Sequence, residues 1–283
     1  MPVLWPTVTI VGVGLIGGSA GLALARRGLA ERIVGVGRSP ASLAAARERG
    51  AITEATTELT AACADADFIL VATRVSLIGA QLEQIDAAVR PGTPITDAGS
   101  TKRSIVTGWE RTRAGRRGRF VGSHPLAGSH RRGPQAADAD LFSGRLTVLT
   151  PTAQTPRSDV EAVGRFWTAV GSRLHELLPA DHDRLLAAAS HTPHLIAAAL
   201  AAATPAAARP LTAGGWRDTT RVAAGDPELW ADILLDNASA VAEQLTAVTA
   251  VTDQLRQAIA AGDRAALGRL LTRAKESRDA LGS

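Results

Sequence analysis

Residues 12–19 read GVGLIGGS, and the two stretches that flank these glycines differ in period. Before them, Thr7 to Val13 (TVTIVGV) is a short β-branched run suited to a strand buried on both faces. After them, Leu15 to Leu29 is rich in Ala and Leu, with apolar residues at helical spacing and Gly28 placed to stop the helix. The glycines therefore occupy a strand-to-helix turn. Gly12 permits the tight turn, Gly14 lets a phosphate approach the backbone, and Gly17 lets the helix lie close on the strand. Leu15 and Ile16 open the helix, whose amino terminus faces the pyrophosphate of a dinucleotide. A second apolar strand, Arg32 to Gly37 (RIVGVG), supplies the context that a glycine pattern alone lacks.

The end of that second strand bears on the choice of cofactor. NAD enzymes usually carry Asp or Glu there for the ribose hydroxyls, whereas NADP enzymes present Arg and small hydroxyl residues to a 2′-phosphate. Here the residues are Gly37-Arg38-Ser39-Pro40, with no carboxylate before Glu48. Arg38 and Ser39 favour NADP. The alternative is that Arg38 stacks on the adenine and either cofactor binds.

Composition sets the outer limits. A chain of 283 residues, 46% apolar and 20% charged, is long enough for two domains with proper cores. The net charge of +4 comes from arginines spread along the chain, since Lys102 and Lys275 are the only lysines. Without aromatic interleaving this is a weak case for nucleic acid, and anionic small molecules match it better. One cysteine, Cys63, excludes an internal disulfide and a cysteine-rich metal site. The opening MPVLWP lacks the features of a signal peptide, and no uninterrupted apolar run suggests a membrane span, so a cytoplasmic location is expected.

Strands and helices alternate through Thr150, which implies a doubly wound parallel sheet of Rossmann type. Strands ending at Thr73, at Asp97-Ala98-Gly99-Ser100-Thr101-Lys102 and at His124 bring polar groups to the carboxyl edge, where ligands bind. Pro151 to Pro156 marks a boundary between a dinucleotide-binding domain (1–153) and a helical domain (154–283). A strand at Arg173 to Leu177 interrupts the helices, which are expected at Ser158 to Val170, Ala180 to Ala203, Pro227 to Ala260 and Arg264 to Leu281. The third is long and apolar on more than one face, which calls for a homodimer. In the second helix, Ser190, His191 and His194 share a face, and Arg221 follows. Metal ligation fails on ligand count. A nucleophilic triad on Ser100 and His124 would leave the dinucleotide without a purpose.

The segments GVGLIGGS (12–19), DAGSTK (97–102), GSHPLAGS (122–129), DHDRLLAAASHTPH (181–194) and RDTTRVAAGDPELW (217–230) together resemble the prephenate dehydrogenase family of tyrosine biosynthesis, which includes arogenate dehydrogenases. The resemblance implies oxidative decarboxylation, with hydride passing from C4 of a cyclohexadiene to a nicotinamide while a base takes the C4 hydroxyl proton. His124 matches the catalytic histidine, and Ser100 the serine between histidine, substrate and nicotinamide. Arg221 matches the arginine that forks onto a carboxylate. Ser129, Ser190, His194 and Trp230 match residues that line the substrate pocket, with His182 and His191 less well defined. Gly214 and Gly215 match a loop brought by the partner subunit.

One departure stands out. After HPLAG the family carries an acid, as in GSE or GTE, where this chain has His130-Arg131-Arg132. Three basic side chains there should attract anions and change how the pocket entrance closes, and nothing in the sequence decides between prephenate and arogenate. No appended regulatory domain is expected. The alternatives are a dehydrogenase for an amino-substituted prephenate in secondary metabolism, a catalytically silent NADP-binding protein, and a β-hydroxyacid dehydrogenase or imine reductase. The hydroxyacid enzymes need a lysine early in the second domain, and there is none between Lys102 and Lys275.

Overall fold

The β-branched run before the glycines forms β1 (Trp5–Val11), and the Ala- and Leu-rich run after them forms α1 (Leu15–Arg26). The computed structural model describes residues 3–111, 115–128, 131–280 and 282. The alternation continues through β2 (Ala30–Val36), α2 (Pro40–Glu48), β3 (Glu54–Thr56), α3 (Leu59–Ala64), β4 (Phe68–Val71), α4 (Val75–Ala88), β5 (Pro94–Asp97), α5 (Arg103–Arg111) and β6 (Arg119–Pro125). Then follow β7 (Leu146–Thr150), α6 (Arg157–Ala169) and β8 (Arg173–Glu176). All eight strands join one sheet in the order β3-β2-β1-β4-β5-β6-β7-β8.

The sheet is apolar on both faces because its strands alternate between two cores. On β4, Phe68 and Leu70 join one cluster with Leu24, Leu43, Val163 and Phe166 from α1, α2 and α6. Ile69 and Val71 join the other with Cys63, Ile78, Leu82 and Ile105 from α3, α4 and α5. The strand order reverses between β2 and β4 on either side of β1, so the nucleotide turn opens at the switch point of the sheet.

Two features depart from a purely parallel sheet that ends near residue 153. β7 runs antiparallel to β6, with Gly122 opposite Thr150, because the connection between them holds, among the described residues, a short 3-10 turn in place of a crossover helix. β8 then pairs parallel to β7 after the α6 crossover, so residues 154–176 belong to the sheet layer and the segment after 153 is not all helical.

Beyond the sheet lie α7 (Pro179–Leu186), a π-helical turn (Ala187–His191) and α8 (Thr192–Ala203), which form one continuous helix. By length and composition this helix is apolar enough to cross a membrane, contrary to the expectation that no such segment exists. Its polar residues His182, Asp183, His191, Thr192 and His194 are buried against the rest of the fold, whereas Leu185, Ile196 and Leu200 on it are exposed. Next come α9 (Gly214–Thr220) and α10 (Pro227–Asp236), the latter capped by the Asp226 carboxylate.

The single helix expected over Pro227 to Ala260 is broken at Asn237. The Asn237 backbone leaves helical geometry (φ −105°, ψ 27°), and its side-chain amide is engaged elsewhere. The chain divides into two compact units at this point. The second unit contains α11 (Ala238–Ala260) and α12 (Arg264–Asp279), joined by a tight turn at Gly262.

Candidate active site

The nucleotide turn has the shape its glycines require. Gly12 adopts φ +93°, and a Cβ there would sit 2.7 Å from the Ala72 carbonyl oxygen. A Cβ on Gly17 would meet the Gly12 oxygen at 2.0 Å, so only glycine lets α1 approach β1 this closely. Around Gly14, by contrast, a Cβ would meet nothing within 4 Å. Space is thus kept open at the first turn of α1, where the amides of Leu15 and Ile16 lie among the donors a helix cannot satisfy internally. The residues fit a dinucleotide pyrophosphate.

Adjacent strand ends carry the remaining groups. Thr73 follows β4, its methyl against Gly12 and its hydroxyl on Gln81 at 2.5 Å. Arg38 is exposed and makes no hydrogen bond or ion pair among the described residues, while the Ser39 hydroxyl accepts from Ser42 and caps α2. Ser100 is half-buried after β5, and its hydroxyl is likewise without a partner among the described residues.

A buried hub fixes the mouths of β5 and β6. The Asp97 carboxylate accepts from the amides of Gly99 (2.9 Å) and Ser123 (3.0 Å) and pairs with the Lys102 ammonium. That ammonium also donates to the Ser123 carbonyl at 2.9 Å. The Ser123 hydroxyl donates to the Asp97 carbonyl and accepts from the Trp167 indole at 2.8 Å. Asp97, Lys102 and Ser123 are fully enclosed. The ammonium read from sequence as a group at the ligand edge is therefore a staple inside the fold. Burial pushes its pKa down, and the Asp97 charge opposes that.

His124 projects from the end of β6, and its Nδ1 lies 2.9 Å from His182 Nε2. His182 Nδ1 in turn meets Asp183 Oδ1 at 2.7 Å. The same carboxylate accepts from the amides of Lys102 (2.8 Å) and Arg103 (2.9 Å), which anchors α7 to the start of α5. Enclosure, the neighbouring His182 and the Lys102 charge hold the His124 pKa well below the ordinary histidine value. His124 is a neutral imidazole at neutral pH.

Pro193 explains the π-helical turn that precedes it. It has no N–H for the carbonyl of Ala189, and its ring would clash with that carbonyl in a regular helix. The turn widens instead, and Thr192 N–H donates to Ala187 O, five residues back. Ser190 lies half-buried in this turn. His194 stacks on Trp230, with ring centroids 3.6 Å apart and planes 14° apart, and Gly225 packs against both.

His191, expected to line the pocket, is enclosed. Its Nδ1 takes a hydrogen bond from the Asn237 amide at 3.1 Å, and burial pushes its pKa down to about 4. The second Asn237 proton goes to the Asp183 carbonyl at 2.8 Å. Both amide protons are used, which ties the point where the helix breaks to His191 and Asp183.

Arg221 is exposed and makes no hydrogen bond or ion pair among the described residues. Gly214 and Gly215 open α9 with free space around them. Ser129 and His130 lie outside the described residues. Arg132, in the basic stretch that replaces the family's acid, pairs with Asp226 at 2.5 Å, and Arg74 stands 4.0 Å from that carboxylate and 2.8 Å from Glu228. Part of the expected anion attraction is thus met by the amino terminus of α10.

Asp183 and Asn237 carry no signal of a site role in the sequence. Asp183 was legible only as the neighbour of a histidine, and Asn237 lay inside an apolar helical pattern.

Residues 20–176 match the family model for the prephenate dehydrogenase nucleotide-binding domain, and residues 178–273 match that for the prephenate dehydrogenase dimerization domain. The prephenate dehydrogenase of Bacillus subtilis is 32% identical over 97% of this chain and 76% of its own length. Among solved structures, prephenate dehydrogenase from A. aeolicus in complex with hydroxyphenyl propionate and NAD+ superimposes with a TM-score of 0.89 at 30% identity, covering 97% of this chain and 98% of that one. Synechocystis arogenate dehydrogenase does so with a TM-score of 0.81 at 31% identity, covering 97% and 99%. With both halves matched and the nucleotide turn and histidine cluster in place, the chain belongs to the prephenate dehydrogenase family of NAD(P)-dependent oxidoreductases.

Proposed function

We propose that this chain oxidatively decarboxylates prephenate or its amino-acid counterpart arogenate, with NADP preferred over NAD. The observation that carries the reading is His124 at the end of β6, within the GSHPLAGS segment and hydrogen-bonded through His182 to Asp183. A bound nicotinamide supplies the hydride acceptor.

The chain's own residues supply the rest. The first turn of α1 and the open side of Gly14 hold the pyrophosphate, Arg38 and Ser39 the 2′-phosphate, and Thr73 and Ser100 flank the nicotinamide end. His124 accepts the proton of the C4 hydroxyl as the C4 hydrogen leaves with its electron pair. The bond from the ring to its carboxylate breaks, its electrons enter the ring, and carbon dioxide departs as the ring becomes aromatic. Arg221 binds a substrate carboxylate through a charged fork. Ser190, His194, Trp230 and, by motif alone, Ser129 shape the pocket.

The test is cofactor reduction by purified protein with prephenate and arogenate crossed against NAD and NADP. Turnover of either substrate is expected, with kcat/KM about tenfold or more in favour of NADP, the size of a charged hydrogen bond. Silence in all four mixtures while NADP still binds would overturn the reading in favour of a silent NADP-binding protein or a different substrate.

The active form is a homodimer assembled through the helical region. Val251 and Ile259 on α11 and Leu271 on α12 are exposed in the single chain, and the matched family domain is a dimerization domain. Sedimentation is expected to give twice the chain mass, and a monomer at micromolar concentration would refute the assembly. The lone cysteine, Cys63, is a buried free thiol.

A further inference from the structure

We propose that His182 and Asp183 are positioning residues that fix the tautomer of His124, so that the lone pair of its imidazole lies on Nε2, away from the interior. The inference deepens the proposed function and rests on His124 as the base.

Three hydrogen-bonded groups in a row leave only one place for each proton. An ionised carboxylate only accepts, and Asp183 is held ionised by His182 and the two backbone amides it takes from Lys102 and Arg103. His182 Nδ1, 2.7 Å from that carboxylate, must therefore carry a hydrogen. His182 is fully enclosed, and its pKa is lowered chiefly by burial, so the ring is neutral and its Nε2 is an acceptor. His124 Nδ1, 2.9 Å from that acceptor, must in turn be the donor. A neutral imidazole has one hydrogen, so Nε2 of His124 is bare. Without the relay, nothing in the hub around Asp97 would select between the two tautomers. Asn237 holds the Asp183 backbone, and so the origin of the relay, in place.

His182 is replaced in two ways. In His182→Gln the side-chain carbonyl takes the place of Nε2 as acceptor; in His182→Leu no acceptor remains. The chain has six histidines, so proton–nitrogen correlation of 15N-histidine protein resolves tautomers, with His124→Asn used to assign the signal. Expected are the Nδ1–H tautomer of His124 in the wild type and in His182→Gln, and an Nε2–H population in His182→Leu. In parallel, kcat falls about 100-fold or more in His182→Leu with KM within about threefold, whereas His182→Gln stays within about tenfold of wild type.

An Nε2–H tautomer in the wild-type enzyme overturns the proposal, as does equal damage from Gln and Leu. Where His182→Leu does not fold, the wild-type tautomer and His182→Gln still decide. The spectroscopic readout needs no substrate, so it stands apart from any failure to turn over prephenate or arogenate.

Discussion

His124→Asn is expected to lower kcat by about 1,000-fold, within the range of about 100- to 10,000-fold that general bases contribute, while leaving the dissociation constant for NADP within about twofold. The asymmetry follows from position. His124 stands at the end of β6, whereas the groups proposed for the cofactor follow β1, β2, β4 and β5, and the substitution leaves all of them in place. Because burial and the flanking His182 and Lys102 lower its pKa, the base form persists into acid. The acid limb of the wild-type kcat/KM profile should therefore fall below the ordinary histidine value of about 6.5 and be absent from the residual activity of His124→Asn. A kcat within tenfold of wild type, measured with saturating cofactor, would remove His124 from the reaction.

Lys102→Met should be the costliest single change for stability. It keeps the length of the side chain but deletes the ammonium that pairs with Asp97 and donates to the Ser123 carbonyl. Asp97 is then a carboxylate without a counter-charge in an enclosed site, a loss of about 3–5 kcal/mol. Thermal unfolding should shift down by roughly 10 °C for a chain of this size. Lys102→Met combined with Asp97→Asn should cost less than the sum of the two single changes, because the second removes the charge stranded by the first. A loss under about 1 kcal/mol for Lys102→Met would mean that the pair contributes little beyond packing.

The parts of this molecule that were legible in the sequence are those whose chemistry is local. Gly12 and Gly17 announce a turn because only glycine tolerates the backbone angle of the first and the close approach at the second, while Gly14 leaves the space beside the helix open. The strands of the parallel sheet announce themselves as β-branched runs, and the short helices as Ala- and Leu-rich ones. What was not legible depends on partners distant in sequence. His182 meets His124 across 58 residues, and Asn237 meets Asp183 across 54. No periodicity carries such pairings. The antiparallel β7 escaped for a related reason, since Leu146 to Thr150 is an apolar run that fits a strand in either direction. Pro193 was visible, but its effect on the carbonyl four residues before it emerged only with the helix around it.

That proline has a wider consequence. A regular helix transmits rotation: turning one end turns the other, and a residue added or removed re-aims everything beyond it. The π-helical turn at Ala187–His191 lies between His182 and Asp183 on one side and His194 on the other, with Ser190 inside it. A turn of this kind interrupts the regular pitch of a helix. The stretch proposed to orient His124 and the stretch proposed to line the pocket are therefore not bound to one pitch. A lineage could reshape the pocket for a keto acid, an amino acid or a modified ring while inheriting its base unchanged.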